Sequence, residues 1–389
     1  MISVPSDDGQ QKKGYCKMKE ITYGELLLPA EIAVAAERQC QLWWSTIAAV
    51  EEGDRSVYFE TQCPIGKCTS RGFLLEPTRE QLGDYPLTVR CRDLRTRTIL
   101  GEQTVKIHVV DPDAGSGART ILMLGDSRTW HSVGGEPGKS ILEAGNKTTT
   151  AELKALLERY PGADFTFLGT RVSELDKSVR NLADNGWQYG TAISVLEDAG
   201  GVRSYIENDC KAGVGASLDY ATAMFGINDL ADWHQNNLDQ YERSTAKIDR
   251  IVADAKKLFS MILSDYPDCR ILLILEPSTA GNQDGFGFWG ASDADCQPEW
   301  EFAVKALRKR MLAEFDCGRY HKNVTVSAAG LWCDRIYGYP YLMVPQSERT
   351  PDALVLQLRN CVHPSDCGYR QIADGYFSSV KYLESLRKC

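Results

Sequence analysis

Short apolar runs alternate with amphipathic segments through the C-terminal two thirds of this chain. The runs, each of strand length, are Ile121–Leu124, Phe165–Leu168, Tyr220–Phe225, Ile271–Leu275 and Val324–Ser327. Helical periodicity dominates at about Glu242–Asp265, Pro298–Phe315 and Tyr369–Leu386. Strands that are buried on both faces are continuous in apolar residues, and strands that alternate with helices form parallel sheets. The pattern predicts a three-layer α/β/α domain of flavodoxin-like type, built around a parallel five-stranded sheet.

The N-terminal part of the chain has a different sequence pattern. Short β-type segments separated by turn residues recur there, at 56–61, 86–91, 98–100 and 104–110. Such spacing is typical of a small all-β sandwich, and we predict an Ig-like sandwich domain over residues 1–112. The polar stretch at 113–119, which contains Gly115 and Gly117, is predicted to be a linker, and residues 120–389 to be the α/β domain.

Three polar side chains stand where the predicted elements change. Ser127 follows the first apolar run, Asn228 follows the third, and His363 precedes the last predicted helix. Ligands of an open parallel sheet bind beyond the carboxyl ends of its strands, so these side chains are expected to meet there. Acyl transfer needs a hydroxyl that attacks, an imidazole that takes its proton and an amide that helps to hold the oxyanion. Singly, each residue also has a simpler reading, as a helix cap or a turn residue.

The segments around these residues resemble the motif blocks of the SGNH (GDSL-like) hydrolases. Gly125-Asp126-Ser127 resembles block I, and Gly226-Ile227-Asn228-Asp229 resembles the G-x-N-D of block III. The stretch from Asn360 to Pro364, followed by Gly368-Tyr369, is similar to block V, in which a histidine and a proline are adjacent. The blocks occur in the order of the family, and the resemblance covers roughly residues 119–389.

The resemblance implies a role for each residue of the predicted site. Ser127 would be the nucleophile, His363 the base, and the Asn228 side chain a donor to the oxyanion. Block II of the family supplies a glycine N–H as a further donor, for which Gly186 is the first choice and Gly190 the second. No cofactor and no metal is implied. Asp126 and Asp229 are expected to bond turn backbone rather than to form an acid–base pair.

One position departs from the family pattern. Block V normally has an Asp three residues before the histidine, and this chain has Asn360 there. Three alternatives follow. Asn360 Oδ1 could accept from the imidazole Nδ1–H, or a carboxylate from elsewhere could take the place of the missing aspartate, with Asp352 the nearest upstream. In the third alternative the chain is a binding protein without activity. A neutral residue in this position should lower the pKa of His363, because one stabilising charge is missing.

Charge and composition exclude several kinds of partner. A formal net charge of -9 argues against binding to a phosphate backbone, so nucleic acid is not expected. No stretch approaches the roughly 20 apolar residues of a membrane span, and residues 1–20 lack the apolar core of a secretory signal. We therefore expect a soluble protein, with its compartment and oligomeric state left open. Most of the 13 cysteines are expected to be buried thiols, with one or two disulfides as the alternative.

Two long segments between the predicted elements, about 278–298 and 331–359, are rich in aromatic residues. They carry Phe286, Phe288, Trp289, Trp332, Tyr337, Tyr339 and Tyr341. Rigid aromatic faces beside a polar site suit sugar rings, although the same residues also serve to pack loops. The sequence thus predicts a serine esterase acting on small acyl esters, O-acetyl groups on carbohydrate in particular. The alternatives are a non-catalytic glycan-binding or virion adhesion protein, and a lipase or thioesterase of the same fold.

Overall fold

The structure is a computed structural model that describes residues 21–130, 148–173, 176–230, 240–288 and 297–387. Trp289, one of the aromatic residues singled out above, lies outside the described residues. No helix within these ranges is long and apolar enough to cross a membrane.

The N-terminal part consists of two small sheets. Its elements are β1 Glu31–Ala35, β2 Cys40–Trp43, α1 Trp44–Ile47, β3 Val57–Gln62, β4 Lys67–Cys68, β5 Gly72–Leu75, a 3-10 turn at Arg79–Gln81, β6 Gly83–Asp93 and β7 Ile99–Val110. One sheet has the order β1-β7-β6-β3 and the other β2-β5-β4. β1 runs parallel to β7, from Glu31 beside Lys106 to Ala35 beside Val110. The N-terminal part is thus rich in β-strands, and its Ig-like arrangement stays a prediction.

The α/β part contains a sheet of seven strands rather than five. These are β8 Gly117–Gly125, β9 Ala163–Leu168, β10 Arg171–Val172, β11 Arg180–Ala183, β12 Tyr220–Met224, β13 Arg270–Ile274 and β14 Val324–Ser327. The order is β10-β11-β8-β12-β13-β14, with β9 also paired to β8. Each of the five apolar runs forms a strand of this sheet, and all five are parallel. The sequence missed β10 and β11 because they are only two and four residues long and carry arginine and asparagine.

Helices flank this sheet, and β8 begins inside the predicted linker. The helices are α2 Thr149–Arg159, α3 Tyr189–Asp198, α4 Val202–Ser204 with a π turn at Tyr205–Asp209, α5 Gln240–Asp265, α6 Asp284–Phe288, α7 Gln297–Phe315 and α8 Asp366–Ser385, with 3-10 turns at Asp316–Gly318 and Ala329–Trp332. The predicted C-terminal helix thus begins three residues earlier than expected, since α8 starts at Asp366 instead of Tyr369.

The segment that was expected to be an aromatic loop forms a hairpin. β15 Tyr341–Ser347 pairs antiparallel with β16 Thr350–Leu358, which ends two residues before Asn360. Several apolar side chains of the hairpin are exposed, among them Met343 and Leu354. The hairpin therefore projects from the region that carries His363.

One continuous core joins the two parts of the chain. Buried apolar residues of β1, β2 and β5 belong to the same cluster as those of the seven-stranded sheet. At the junction Ser378 of α8 accepts from the Ala35 N–H at 2.9 Å, and the Trp43 indole donates to the Trp332 carbonyl at 2.8 Å. The division at residue 112 remains a prediction, and the two parts share buried apolar contacts.

Candidate active site

Three neighbouring strands bring the predicted site residues together. β8 lies between β11 and β12, and the strands end level, with Gly125 beside both Ala183 and Met224. Ser127 follows the central strand, Gly186 follows β11 and Asn228 follows β12. All three loops therefore leave the same edge of the sheet, which is where α/β folds bind ligands.

Close packing at the end of β8 fixes the turn that carries Ser127. A Cβ on Gly125 would lie 2.0 Å from Thr129 Oγ1, so this position accepts only glycine. The Asp126 carbonyl accepts from the N–H groups of Thr129 and Trp130, which closes a single turn of helix after the strand. Ser127 sits in the first position of this turn and is only 5% exposed. The sequence thus folds locally into a strand followed by a tight turn with a serine at its start.

His363 approaches Ser127 from the turn before α8. A hydrogen bond of 2.8 Å joins Ser127 Oγ and His363 Nε2, across a separation of 236 residues in the chain. The hydroxyl donates in this bond when the neutral ring carries its proton on Nδ1. The distance is within the reach needed by a general base, and the two atoms are placed as a nucleophile and its base would be.

Asn360 holds the turn that presents the imidazole. Its Oδ1 accepts from the backbone N–H of Val362 at 2.9 Å and of His363 at 2.7 Å, and the residue is buried. The side-chain oxygen is thus bonded to backbone rather than to the ring, in contrast to the first of the alternatives considered above. Asp352, the carboxylate proposed as a substitute, lies on the exposed outer part of β16.

The electrostatic environment keeps the imidazole neutral. Burial and, to a smaller extent, the nearby Arg128 guanidinium lower the pKa of His363 to about 4, while Asp126 opposes the shift. A base acts in its unprotonated form, so His363 is ready to accept a proton at neutral pH.

A fully buried arginine, Arg128, directly follows Ser127 in the chain. Arg128 Nη2 is 2.5 Å from Asp126 Oδ2, and its Nη1 is 2.6 Å from Glu276 Oε1. Asp126 also accepts the Arg128 backbone N–H at 2.9 Å, as expected for a residue that bonds turn backbone. Burial raises the pKa of Glu276, although Arg128 opposes this shift. The ion cluster ties the turn after β8 to the end of β13.

The sequence analysis did not identify Arg128 or Glu276. A signal was present, because Glu276 comes directly after the fourth apolar run, at the edge of the sheet where the other site residues lie. Arg128 is adjacent to Ser127, but nothing in the sequence indicates that its side chain turns inward to meet two carboxylates. Only the positions of β8 and β13 bring these charges together.

The loops that carry Gly186 and Asn228 are bonded to each other. Asn228 Nδ2 donates to the Trp187 carbonyl at 3.1 Å, and the Gln188 side chain donates to the Asn228 carbonyl at 2.8 Å. Gly186 has a φ of +74°, a conformation that favours glycine, and it lies in an exposed turn. Gly190, the second choice, is the second residue of α3. One amide proton of Asn228 is used in this bond, and the described residues contain no acceptor for the other.

Asp229, directly after Asn228, is buried. Its Oδ1 accepts from the Tyr189 N–H at 3.3 Å at the beginning of α3. Burial raises the pKa of Asp229 to about 7, and the negative charges of Glu276 and Asp126 contribute to this rise. The bond to backbone agrees with the structural role that was expected for this residue.

The aromatic residues of the two long segments fall into two groups. Phe286, Trp332 and Tyr339 are buried and pack the loops. Tyr337 and Tyr341 are 51% and 38% exposed. No group of three or more His, Cys, Asp or Glu side chains within the described ranges is arranged to hold a metal ion. The free thiols within the described ranges include Cys40, Cys68 and Cys269.

No family model matches this chain, and no curated protein matches it in sequence. Comparison of folds gives a different result. The solved structures similar to the chain include GDSL (SGNH) lipases and acetylesterases.

Three of these structures illustrate the range of the similarity. An acetyl xylan esterase from the rumen bacterium Butyrivibrio proteoclasticus is 9% identical, over 94% of this chain and 95% of that chain, with a TM-score of 0.35. A carbohydrate acetylesterase from Sinorhizobium meliloti is 16% identical, over 68% and 99%, with a TM-score of 0.34. The M. smegmatis aryl esterase is 16% identical, over 68% and 99%, with a TM-score of 0.38. The TM-scores are below 0.5, so these similarities carry no conclusion about the activity of this chain.

Proposed function

We propose that this chain is a serine esterase that hydrolyses small acyl esters, O-acetyl groups on carbohydrate in particular. The observation that carries the proposal is the 2.8 Å hydrogen bond between Ser127 Oγ and His363 Nε2 at the carboxyl edge of the sheet. A serine hydroxyl is a weak nucleophile at its own pKa and needs such a base. The low pKa of the His363 imidazole supports this role, since the ring is unprotonated at neutral pH.

The reaction follows from the positions of these groups. Ser127 Oγ attacks the ester carbonyl carbon while His363 Nε2 takes the hydroxyl proton, and the carbonyl oxygen becomes an oxyanion. The backbone N–H groups of Ser127 and Gly186, together with the free amide proton of Asn228, stabilise that charge. The imidazolium then gives its proton to the leaving alkoxide, which departs as an alcohol. Water, activated by His363, hydrolyses the acyl-enzyme and releases the acid.

Asn360 and the Arg128 cluster act on this chemistry indirectly. Asn360 fixes the backbone turn of His363 through two hydrogen bonds, and so orients the ring without supplying a charge. Arg128 directly follows Ser127, and its guanidinium extends into the core, where it pairs with Asp126 and Glu276. These ion pairs fix the turn that carries Ser127. We assign both as positioning residues.

The test is hydrolysis of p-nitrophenyl acetate, butyrate and octanoate by the native protein and by Ser127→Ala. We expect the acetate to be the best substrate, and Ser127→Ala to lower kcat/KM by at least about a thousandfold. Ser385→Ala is the matched control, because that serine lies on α8 and bonds only the Tyr382 carbonyl. Its activity should equal that of the native protein.

Each other outcome supports one of the alternatives. Preference for octanoate would indicate a lipase or thioesterase. Turnover that is equal in native protein and Ser127→Ala on all three esters would contradict the esterase and favour the glycan-binding protein.

A further inference from the structure

An aromatic surface crosses the junction between the two parts of the chain. Arg71 lies over the Trp43 ring, with 4.8 Å from its Cζ to the ring centroid, and over the Tyr337 ring, at 5.2 Å. Tyr341 meets Tyr337 edge-on, with 6.0 Å between the centroids. We call Trp43, Arg71, Tyr337 and Tyr341 the junction platform. It belongs to neither the nucleophile nor the oxyanion loops.

Charged groups hold the platform in place. Arg71 makes a two-pronged ion pair with Asp334, with contacts of 2.9 and 2.6 Å, and lies 3.6 Å from Glu52. Asp334 Oδ1 also accepts the Tyr337 backbone N–H at 3.2 Å. The rings are therefore fixed before any ligand arrives, which reduces the entropic cost of binding.

The composition of the platform suits a sugar polymer. Tyr337 and Tyr341 present half-exposed rings, on which the C–H face of a pyranose packs. Arg71 and Glu52, both partly exposed, lie beside the rings as hydrogen-bonding partners for sugar hydroxyls. Apolar faces with a few fixed polar groups are typical of ligand sites. The net charge of -9 favours a neutral polysaccharide over an acidic one.

The platform is continuous with the base of the proposed active site. The Gly338 carbonyl accepts the Ser365 N–H at 2.8 Å, two residues after His363. The Pro340 carbonyl accepts the Arg359 N–H at 2.8 Å, directly before Asn360. The loop from Tyr337 to Tyr341 is thus bonded to the chain on both sides of the histidine turn. The platform loop and the histidine turn therefore belong to one hydrogen-bonded segment.

We infer that the junction platform binds the pyranose backbone of a neutral polysaccharide whose acyl groups Ser127 removes. The removal of acyl groups rests on the proposed function. The binding of the polymer rests on Trp43 and Tyr337. It assigns part of substrate recognition to the N-terminal residues, because Trp43 and Arg71 come from that part of the chain. Tyr337 and Tyr341 are binding residues and take no part in the chemistry.

Binding is tested without catalysis, in a Ser127→Ala background, by affinity electrophoresis in gels that contain xylan or chemically acetylated xylan. We expect Tyr337→Ala to weaken the affinity for both polymers roughly tenfold, because a stacking ring is lost. Tyr337→Phe should retain the affinity. Tyr58→Ala is the matched control, since that ring also lies under an arginine, Arg97, but on β3.

The second measurement is enzyme activity, in variants that retain Ser127. On acetylated xylan, Tyr337→Ala should raise KM roughly tenfold and leave kcat nearly unchanged, while kcat/KM on p-nitrophenyl acetate stays at the native value. An equal loss on both substrates would overturn the inference, because the ring would then support the active site itself. Native affinity in Tyr337→Ala and Tyr341→Ala would overturn it too.

Two outcomes separate this inference from the proposed function. If the protein hydrolyses no ester but Tyr337→Ala still weakens xylan binding roughly tenfold, the platform stands and the esterase proposal fails. If sedimentation shows that Tyr337→Ala converts an oligomer to a monomer without any change in xylan binding, the platform is a contact between copies and the inference fails.

Discussion

Asn360 makes the backbone hydrogen bonds that an aspartate could make at this position, but it carries no charge. The family pattern has an aspartate there, and the amide oxygen of Asn360 accepts two backbone N–H groups of the histidine turn. A carboxylate oxygen would accept the same bonds, so the geometry of the turn does not distinguish the two residues. What differs is charge, and the imidazole of His363 has a low pKa in its buried position.

The proposed role of His363 as the base predicts an acidic limit of activity that its low pKa would set. Since the ring loses its proton at about pH 4, kcat/KM should be constant from roughly pH 5 upward and fall by half near pH 4. The measurement is the pH profile of kcat/KM for p-nitrophenyl acetate, read at an isosbestic wavelength, with tryptophan fluorescence to verify folding. A midpoint near 6.5 would contradict the shift.

Asn360→Asp should move that limit upward. A negative charge three residues from the ring stabilises the imidazolium and raises the pKa of His363, so the midpoint should rise by about one unit. Activity at pH 8 should be equal to that of the native protein or higher. Asn360→Ala is the contrasting variant, because it removes both backbone acceptor bonds and should lower activity at every pH. A severe loss in a folded Asn360→Asp protein would count against the positioning role.

At the scale of elements, α8 connects the active site to the N-terminal part. The helix begins three residues after His363, and farther along it Ser378 Oγ accepts the buried Ala35 N–H of β1. The same hydroxyl donates to the Asp374 carbonyl one turn earlier. A β-strand edge is thus satisfied by a helix side chain, an arrangement that the helical periodicity of the sequence does not reveal.

Ser378→Ala should destabilise the protein. The substitution leaves the buried Ala35 N–H without its acceptor, which costs about 1–3 kcal/mol of the free energy of unfolding. Urea unfolding followed by circular dichroism measures this. Ser385→Ala on the same helix is the control and should change the free energy by less than about 0.5 kcal/mol, since that hydroxyl is exposed. Equal effects of the two substitutions would contradict the assigned bond.

At the scale of the whole molecule, the N-terminal part and the α/β part are joined by buried charged side chains in addition to apolar contacts. Lys305 Nζ donates to the Val50 carbonyl at 2.7 Å, and Arg308 Nη1 donates to the Thr46 carbonyl at 2.8 Å. Burial lowers the pKa of Lys305 to about 7. Separation of the parts would leave these donors and acceptors unbonded, so we expect them to unfold together.

Thiol reactivity tests this directly. Cys40 lies buried in the N-terminal part and Cys269 lies buried beside the seven-stranded sheet, and both are free. Pulse labelling in increasing urea, read by mass spectrometry, should expose both at the same urea concentration. Exposed Cys68 should react without urea and serves as the control. Earlier labelling of Cys40 would show that the N-terminal part unfolds independently.

The sequence by itself determined the parallel sheet, the segments that form its main strands and the loops that carry Ser127, Asn228 and His363. These features follow from local patterns, because a buried strand is a continuous apolar run and the site of a parallel sheet lies where its strands end. The tertiary structure alone decided the parallel pairing of β1 with β7, the partners of Arg128 and the ring stack around Arg71. Such contacts join residues far apart in the chain, 263 positions for Arg71 and Asp334, and local periodicity carries no information about them.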